Sequence, residues 1–185
     1  MGTQKSKCNE EYLISEYNQM FEEKRHYDNR LFAFITLFLT LLTATSAIIE
    51  FSNDPTITFW ILLLQDLTGI AIICAQYHNR VSNVKACRQI NTIRKAMIEY
   101  TEFESLNRMY VDGNYPKYFK PDTMHSILML FTITATSICI GTTITVSGFS
   151  VGIAKTWGTI IFFLLISLNI TLLVWRDKKD KKKTK

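Results

Sequence analysis

Residues 57–77 read ITFWILLLQDLTGIAIICAQY, an apolar run whose single charged residue, Asp66, lies near its centre. A helix needs roughly 20 apolar residues to cross the hydrocarbon core of a bilayer, and this run has that length. A carboxylate at mid-bilayer costs roughly 2.5–3.5 kcal/mol on insertion scales, so it normally faces a bundle interior or a wet cavity. The run therefore predicts a transmembrane helix in which Asp66 either cross-links the bundle or lines an ion path.

Three further apolar runs of similar length contain no charged residue, at residues 31–49, 127–149 and 157–175. The connections at 50–56 and 150–156 are short, so they join neighbouring spans into antiparallel hairpins. The sequence thus predicts an all-α, polytopic membrane protein with four transmembrane helices in two hairpins and a small cytoplasmic helical layer. The predicted segments are a juxtamembrane helix at 1–30, the first hairpin at 31–77, a helix and loop at 78–126, the second hairpin at 127–175 and a polybasic tail at 176–185.

The distribution of positive charge predicts the orientation of these spans. Of the 21 Lys and Arg residues, Lys155 alone lies outside residues 1–30, 78–126 and 176–185. Short loops rich in Lys and Arg stay on the cytoplasmic side of a membrane. We therefore expect an integral membrane protein, surrounded by membrane lipids, whose N-terminus, C-terminus and middle connection are cytoplasmic.

Two of the predicted cytoplasmic segments are amphipathic helices. Residues 9–30 carry apolar side chains at helical spacing, and residues 81–107 carry a second stripe that includes Val84, Ile90 and Ile93. Neither stripe can enter the bilayer without taking its charged neighbours with it. The two stripes are therefore expected to pack against each other or against a soluble partner protein.

The connection before the third span combines aromatic and basic residues. Residues 110–121 read YVDGNYPKYFKP, in which Pro116 and Pro121 break the helical pattern. Aromatic side chains such as Tyr118 fit anchoring at the membrane interface, or stacking on a base beside a neutralised phosphate. Basic residues of the cytoplasmic layer form either a solvated face or a binding site for a phosphate-bearing ligand. The candidate ligand-binding residues are Arg88, Arg94, Lys95, Arg108, Lys117 and Lys120.

Polar side chains inside the spans are candidates for a pore or gate. These candidates are Asp66, Gln65, Thr132, Thr136, Thr143 and Asn169. On the third span the three candidate threonines share one helical face, and a second face around Ser137 and Gly141 permits close approach of another helix. Alternatively, the hydroxyls bond back to their own helix and both faces serve packing. We expect Asp66 to pair with Asn169.

Catalysis has little support in the sequence. The three histidines lie far apart, and no Gly-rich phosphate loop, nucleophile elbow or paired-carboxylate motif is present. The four cysteines form no CxxC pattern and are expected to be small apolar fillers. We therefore predict that the protein is not an enzyme and that it has no catalytic residue, no cofactor and no metal site.

The arrangement resembles a known group of membrane proteins. It combines a leading helix with EYNQMFEEKRHYDNRLF at residues 16–32, a basic helix with VKACRQINTIRKAMIEY at 84–100 and two predicted hairpins. In this it is similar to the small multi-span effectors of bacterial anti-phage systems, the SLATT-like proteins and the channel subunit of the Hailong system. The likeness covers nearly the whole chain. It implies a homo-oligomeric channel in the bacterial inner membrane, which a cytoplasmic nucleotide or oligonucleotide opens or holds closed, and which depolarises the infected cell.

The conducting path is expected between protomers, because a single four-helix bundle fills its interior with side chains, and we favour a tetramer. The alternative is a structural or adaptor membrane subunit, which recruits a soluble partner through residues 9–30 and 81–107. The two functions differ in a measurable way, since a channel moves ions across a liposome membrane and an adaptor does not.

Overall fold

The computed structural model describes residues 2–52, 54–101 and 116–183. Within these ranges the chain forms long helices and contains no strand. The helices are α1 (Gly2–Phe51), α2 (Pro55–Thr101), α3 (Met124–Val146) and α4 (Val151–Lys183). The prediction of an all-helical protein is confirmed.

Each of the four helices contains a stretch long and apolar enough to cross a membrane. These stretches are Glu11–Phe51, Pro55–Met97, Met124–Val146 and Val151–Asp180. The prediction of four candidate transmembrane helices is confirmed, and their length and composition are compatible with an integral membrane protein. Helix α1 has 50 residues. At 1.5 Å per residue it is about 75 Å long, more than twice the ~30 Å thickness of the hydrocarbon core.

The helix boundaries differ from the predicted segments in two places. Helix α2 runs without a break from the second apolar run into the predicted cytoplasmic helix, because residues 78–80 (HNR) contain neither Pro nor Gly to stop it. Helix α4 begins at Val151 and continues to Lys183. It therefore includes most of the predicted 150–156 loop and much of the polybasic tail, whose lysines are good helix formers.

Local capping explains where the shorter connections lie. The Asp54 carboxylate accepts a hydrogen bond of 2.8 Å from the Thr56 backbone N–H at the start of α2, and Pro55 occupies the first helical position. Helix α3 begins after the N-cap residue Thr123. It ends just before Gly148, whose φ of 91° lies in the left-handed region that a residue without Cβ adopts freely.

The chain divides into two compact units. The first unit comprises Met1–Arg30 and Arg80–Lys117, and the second comprises Leu31–Asn79 and Tyr118–Lys185. Helices α1 and α2 each contribute residues to both units.

In the first unit, the predicted stripe on α2 is buried at Val84, Ile90 and Ile93. Polar contacts join it to α1, because Asn83 Nδ2 donates to Asp28 Oδ1 at 2.7 Å. The two amphipathic segments therefore meet through polar contacts, and packing of their apolar stripes on each other stays a prediction.

In the second unit, three helices contribute to one apolar cluster. Ile73 of α2 packs with Met129 and Ile133 of α3. Partly buried residues of α2 and α4 surround this centre, namely Tyr77, Phe162, Leu165 and Ile166. The cluster positions the polar residues of α2 and α3 that are described next.

Candidate functional site

A row of polar side chains joins α2 to α3 inside the second unit, and we call it the polar ladder. Its members on α2 are Asp66, Gly69 and Gln76, and its members on α3 are Thr132, Thr136 and Thr143. The spacings along each helix place these residues on one face. The three candidate threonines of the third span are all buried, as are Asp66 and Gln65.

Two hydrogen bonds form the rungs at either end of the ladder. Thr143 Oγ1 donates to Asp66 Oδ2 at 2.6 Å, and Gln76 Nε2 donates to Thr132 Oγ1 at 2.9 Å. Because the higher-numbered residue of α2 pairs with the lower-numbered residue of α3, the two helices run antiparallel along the ladder. The predicted pairing of Asp66 with Asn169 is wrong, because Thr143 supplies the hydrogen bond instead.

The middle rung is a close contact between a glycine and a threonine. A Cβ atom placed on Gly69 would lie 2.5 Å from Oγ1 and 2.8 Å from Cγ2 of Thr136, too close for any real side chain. Gly69 therefore sets the distance between α2 and α3. Sequence reasoning missed this residue, although a lone glycine one turn after a buried carboxylate was a usable signal.

Several buried polar side-chain atoms of the second unit have no hydrogen-bond partner. Among the described residues these include Asp66 Oδ1, Gln76 Oε1 and Asn169 Oδ1, which are acceptors, and Gln65 Nε2, which is a donor. An unsatisfied buried group typically costs about 1–3 kcal/mol, and more when it is charged. Asp66 Oδ1 and Gln76 Oε1 lie about 15 Å apart along α2, so each could accept separately from a water molecule or from a donor of another chain.

The opposite face of α3 packs closely on α4 through small residues. A Cβ atom on Gly158 would lie 3.3 Å from the Ser137 carbonyl oxygen and 3.7 Å from Gly141 Cα. The prediction that this face permits close approach of another helix is confirmed. The hydroxyls of Thr134, Ser137 and Thr145 donate to carbonyl oxygens of their own helix, so they leave no donor on the surface.

Two of the candidate ligand-binding arginines hold the first unit together. Arg88 is buried, and its Nε and Nη2 donate to the Pro116 carbonyl oxygen at 3.2 and 3.0 Å. Arg94 Nη2 donates to the Tyr17 hydroxyl at 2.6 Å, with its guanidinium 5.2 Å from the ring centroid. Arg80, which was not a candidate, makes a similar bond to the Lys117 carbonyl oxygen at 3.2 Å.

The remaining candidate cations are exposed or lie outside the described ranges. Lys95, Lys117 and Lys120 have exposed side chains, and Lys120 forms an ion pair of 3.2 Å with Asp122. Arg108 lies outside the residues that the structure describes. A phosphate-bearing ligand would therefore meet Lys95 and Lys117 in the first unit before it met the two buried or bonded arginines.

Tyr118 binds the C-terminal extension of α4 in the second unit. Its side chain is 0 % exposed. Its backbone N–H donates to the Asp177 carboxylate at 3.3 Å, and its hydroxyl donates to Asp180 Oδ2 at 2.5 Å. The predicted contact of this ring with lipid headgroups is wrong, because Tyr118 is fully buried in the protein and its polar groups bond to two acidic residues of the basic tail.

Removal of the Tyr118 hydroxyl tests this contact. Tyr118→Phe should lower the free energy of unfolding by about 1–2 kcal/mol, since the hydroxyl bonds to a charged carboxylate and its loss leaves no cavity. Thermal unfolding of the detergent-purified protein measures the change. Tyr12→Phe is the matched control, because Tyr12 is 67 % exposed. Equal stability of the two variants would contradict the structural role of the Tyr118 hydroxyl.

Cysteine and metal chemistry find no support in the described part of the chain. Burial raises the pKa of the Cys87 thiol, and its Sγ lies 3.6 Å from Asn83 Oδ1. It is therefore a protonated thiol rather than a nucleophile. Among the described residues, no cluster of three or more His, Cys, Asp and Glu side chains has the arrangement of a metal site.

No family model, curated protein or solved structure matches this chain.

Proposed function

We propose that this protein is an oligomeric ion channel or pore-forming effector of the bacterial inner membrane, gated from the cytoplasm by a nucleotide or oligonucleotide in anti-phage defence. One observation carries the proposal. Asp66 is 6 % exposed within the apolar stretch of α2, and its Oδ1 has no hydrogen-bond partner among the described residues. Intramembrane carboxylates of this kind typically mark ion or proton pathways.

The polar ladder supports a path that is closed in the single chain. Thr132 and Thr136 are at most 1 % exposed, and Gly69 touches Thr136 without a gap. No ion can pass between α2 and α3 in this arrangement. Conduction therefore requires that protomers assemble around the ladder residues or that the two helices separate, and a cytoplasmic signal is suited to control either step.

The outer surface of the second unit supports the membrane location. Large apolar side chains project from it, among them Trp60, Leu64 and Leu67, each more than half exposed. Soluble monomers rarely show such a continuous apolar surface. Lipid tails would cover it, so we place the four apolar segments in the bilayer as two hairpins.

The proposed topology predicts where reporter domains are found. With both termini cytoplasmic, fusions after residues 112 and 185 should report a cytoplasmic location, and fusions at 53 and 153 should report the opposite side. The physical reason is the concentration of positive charge in residues 1–30, 78–126 and 176–185. Paired alkaline phosphatase and fluorescent-protein fusions measure the location. An external signal at 112 or 185 would refute the orientation.

The proposed gating predicts a role for the exposed lysines rather than for the arginines. The double variant Lys117→Glu, Lys120→Glu should weaken binding of a fluorescent adenine nucleotide at least about tenfold while the oligomer persists, because a charge-assisted contact is replaced by repulsion. Lys85→Glu is the control, since Lys85 is exposed and outside the candidate set. If the double variant and the Lys85 control bind the nucleotide equally well, Lys117 and Lys120 do not contact it and act only as determinants of topology.

The adaptor function is the second candidate, and a specific observation favours it. Arg88 and Arg94 are engaged within the chain, while Ile14 and Phe21, seven residues apart on one face of α1, are exposed and apolar. This surface would suit a soluble protein partner better than a phosphate. Purified protein that stays monomeric in mild detergents and moves no potassium across liposomes would support the adaptor and reject the channel.

A further inference from the structure

Helix α1 presents a stripe of small residues on its free side. Thr36, Thr40, Thr43 and Ala47 recur at intervals of four and three residues, and all are exposed. The hydroxyls of Thr40 and Thr43 donate to carbonyl oxygens of α1 itself at 2.8 and 2.9 Å. At Thr40 and Thr43 the stripe therefore presents methyl groups rather than free hydroxyl donors. On the other side of the same helix, Leu31 and Phe38 are buried within the second unit.

A groove of about 770 Å³ lies between α3 and α4. Its wall on α3 extends from Thr134 to Thr145 and includes the small residues Gly141 and Thr142 beside the larger Ile138. The stripe on α1 and this wall each cover eleven residue steps, about 17 Å of helix. Small residues on both surfaces allow helix backbones to approach closely, which is the main source of helix association in lipid.

Complementary charges lie at matching ends of the two surfaces. Glu50 follows the stripe in the last turn of α1, where no basic residue is present. Lys155 lines the groove near the start of α4, whose first turn has no acidic residue. Each charge has the wrong sign for its helix dipole. Neither has an ion-pair partner among the described residues.

We propose that α1 of a second copy of this chain occupies the α3–α4 groove, with its stripe from Thr36 to Ala47 against the small wall and Glu50 paired with Lys155. The inference rests on the oligomer of the proposed function and names its contact surface. In a membrane the copies are parallel, so the end of α1 and the start of α4 meet at the same side of the bilayer. Charge complementarity favours a second chain over a lipid, because an acyl chain would leave Glu50 unpaired.

The contact is heterologous, since different surfaces of the two copies meet. Each chain then places its α1 stripe in the groove of one neighbour and receives the stripe of another neighbour in its own groove. Copies therefore add head to tail until a ring closes. An isologous dimer would bury the same pair of surfaces twice and stop at two copies. The number of copies joined by one engineered bond therefore separates the two arrangements.

Disulfide cross-linking in native membranes tests the proposal. In a background lacking the four native cysteines, the full-length double variant Ala47→Cys, Thr142→Cys should form dimers, trimers and larger bands that end at the ring size when oxidised with copper phenanthroline. Each single-cysteine variant should stop at a dimer or form no band. Ile48→Cys, Thr142→Cys is the matched control, because Ile48 is exposed but about 100° around the helix from Ala47.

Charge exchange gives a second, independent readout. Glu50→Lys and Lys155→Glu should each lower the rate of cross-linking about two- to fivefold, the effect expected for an exposed ion pair. The double variant that exchanges the two charges should restore the rate. No change in the single variants, or no restoration in the double variant, would overturn the Glu50–Lys155 contact.

The outcomes separate this interface from channel activity. A series of cross-linked bands together with absent potassium flux would support the interface and reject conduction. The interface would be overturned, whatever the flux, if the Ala47→Cys, Thr142→Cys variant formed no more cross-linked bands than the Ile48→Cys, Thr142→Cys control. Circular dichroism must show that the helix content of both is unchanged. An anionic phospholipid retained by the wild type in native mass spectrometry and lost in Thr145→Trp, without cross-linking, would assign the groove to lipid and overturn the proposal.

Discussion

Asp66→Asn should leave the protein assembled and lower cation flux through reconstituted liposomes about tenfold or more. Asparagine keeps the volume and an acceptor for the Thr143 hydroxyl, which donates to Asp66 at 2.6 Å, but it removes the negative charge. A loss of about 1.4 kcal/mol in cation stabilisation corresponds to a tenfold change. Potassium flux into liposomes, measured beside oligomer size, gives both quantities.

Two further variants separate the ion path from a structural role. Asp66→Leu removes the acceptor as well as the charge. The Thr143 hydroxyl would then keep only its bond to the Cys139 carbonyl oxygen, so the variant should be less stable. Asp54→Asn is the matched control for loss of an acidic charge outside the apolar runs, and it should leave flux unchanged because Asn also caps a helix N-terminus. If the Asn variant conducts like the wild type, Asp66 is a structural cross-link and the channel proposal loses its main support.

Gly69→Ala should destabilise the second unit by about 1–3 kcal/mol, the usual cost of overpacking a close contact. The added Cβ would lie 2.5 Å from Thr136 Oγ1, and neither helix can move without disturbing the rungs at Asp66 and Gln76. Thermal unfolding in detergent measures the loss. Gly141→Ala is the matched control, because its Cβ would lie 3.5 Å from the Ala154 carbonyl oxygen, an ordinary contact.

A double variant identifies the clashing partner. Thr136→Ala removes the two nearest atoms, so Gly69→Ala, Thr136→Ala should recover part of the stability lost by Gly69→Ala alone. The remaining contact, between the new Cβ and Thr136 Cβ, is 3.1 Å and stays tight. Additive losses in the two single variants would show that α2 and α3 are not in contact at this rung.

Periodicity predicts which side of a helix is buried, and this part of the site followed from the sequence. The threonines at 132, 136 and 143 share a face by their spacing alone, and that face is buried. Spacing does not reveal which helix lies opposite, because each buried face could meet any of the other helices. The predicted Asp66–Asn169 pair failed for this reason, and the Gly69–Thr136 contact was missed for the same one.

Composition also hid contacts of charged residues in the C-terminal tail and at Arg88. Residues 176–185 (RDKKDKKKTK) read as a uniform positive tail, yet their two aspartates hold Tyr118. Likewise, Arg88 reads as a free charge but binds the Pro116 carbonyl oxygen. Such contacts depend on which chain segments meet in space, and neither charge counts nor hydrophobic patterns report that.

The bond between Thr143 and Asp66 joins residues 77 positions apart in the chain. At a synthesis rate of 5–20 residues per second, roughly 4–15 seconds pass between the translation of Asp66 and that of Thr143. In the proposed topology, the second span must therefore reach the bilayer, or wait at its surface, while its carboxylate has no donor from α3. In that topology the nascent chain would pass through this exposed stage each time it is made, and the Thr143 hydroxyl would favour burial of Asp66 once α3 has emerged.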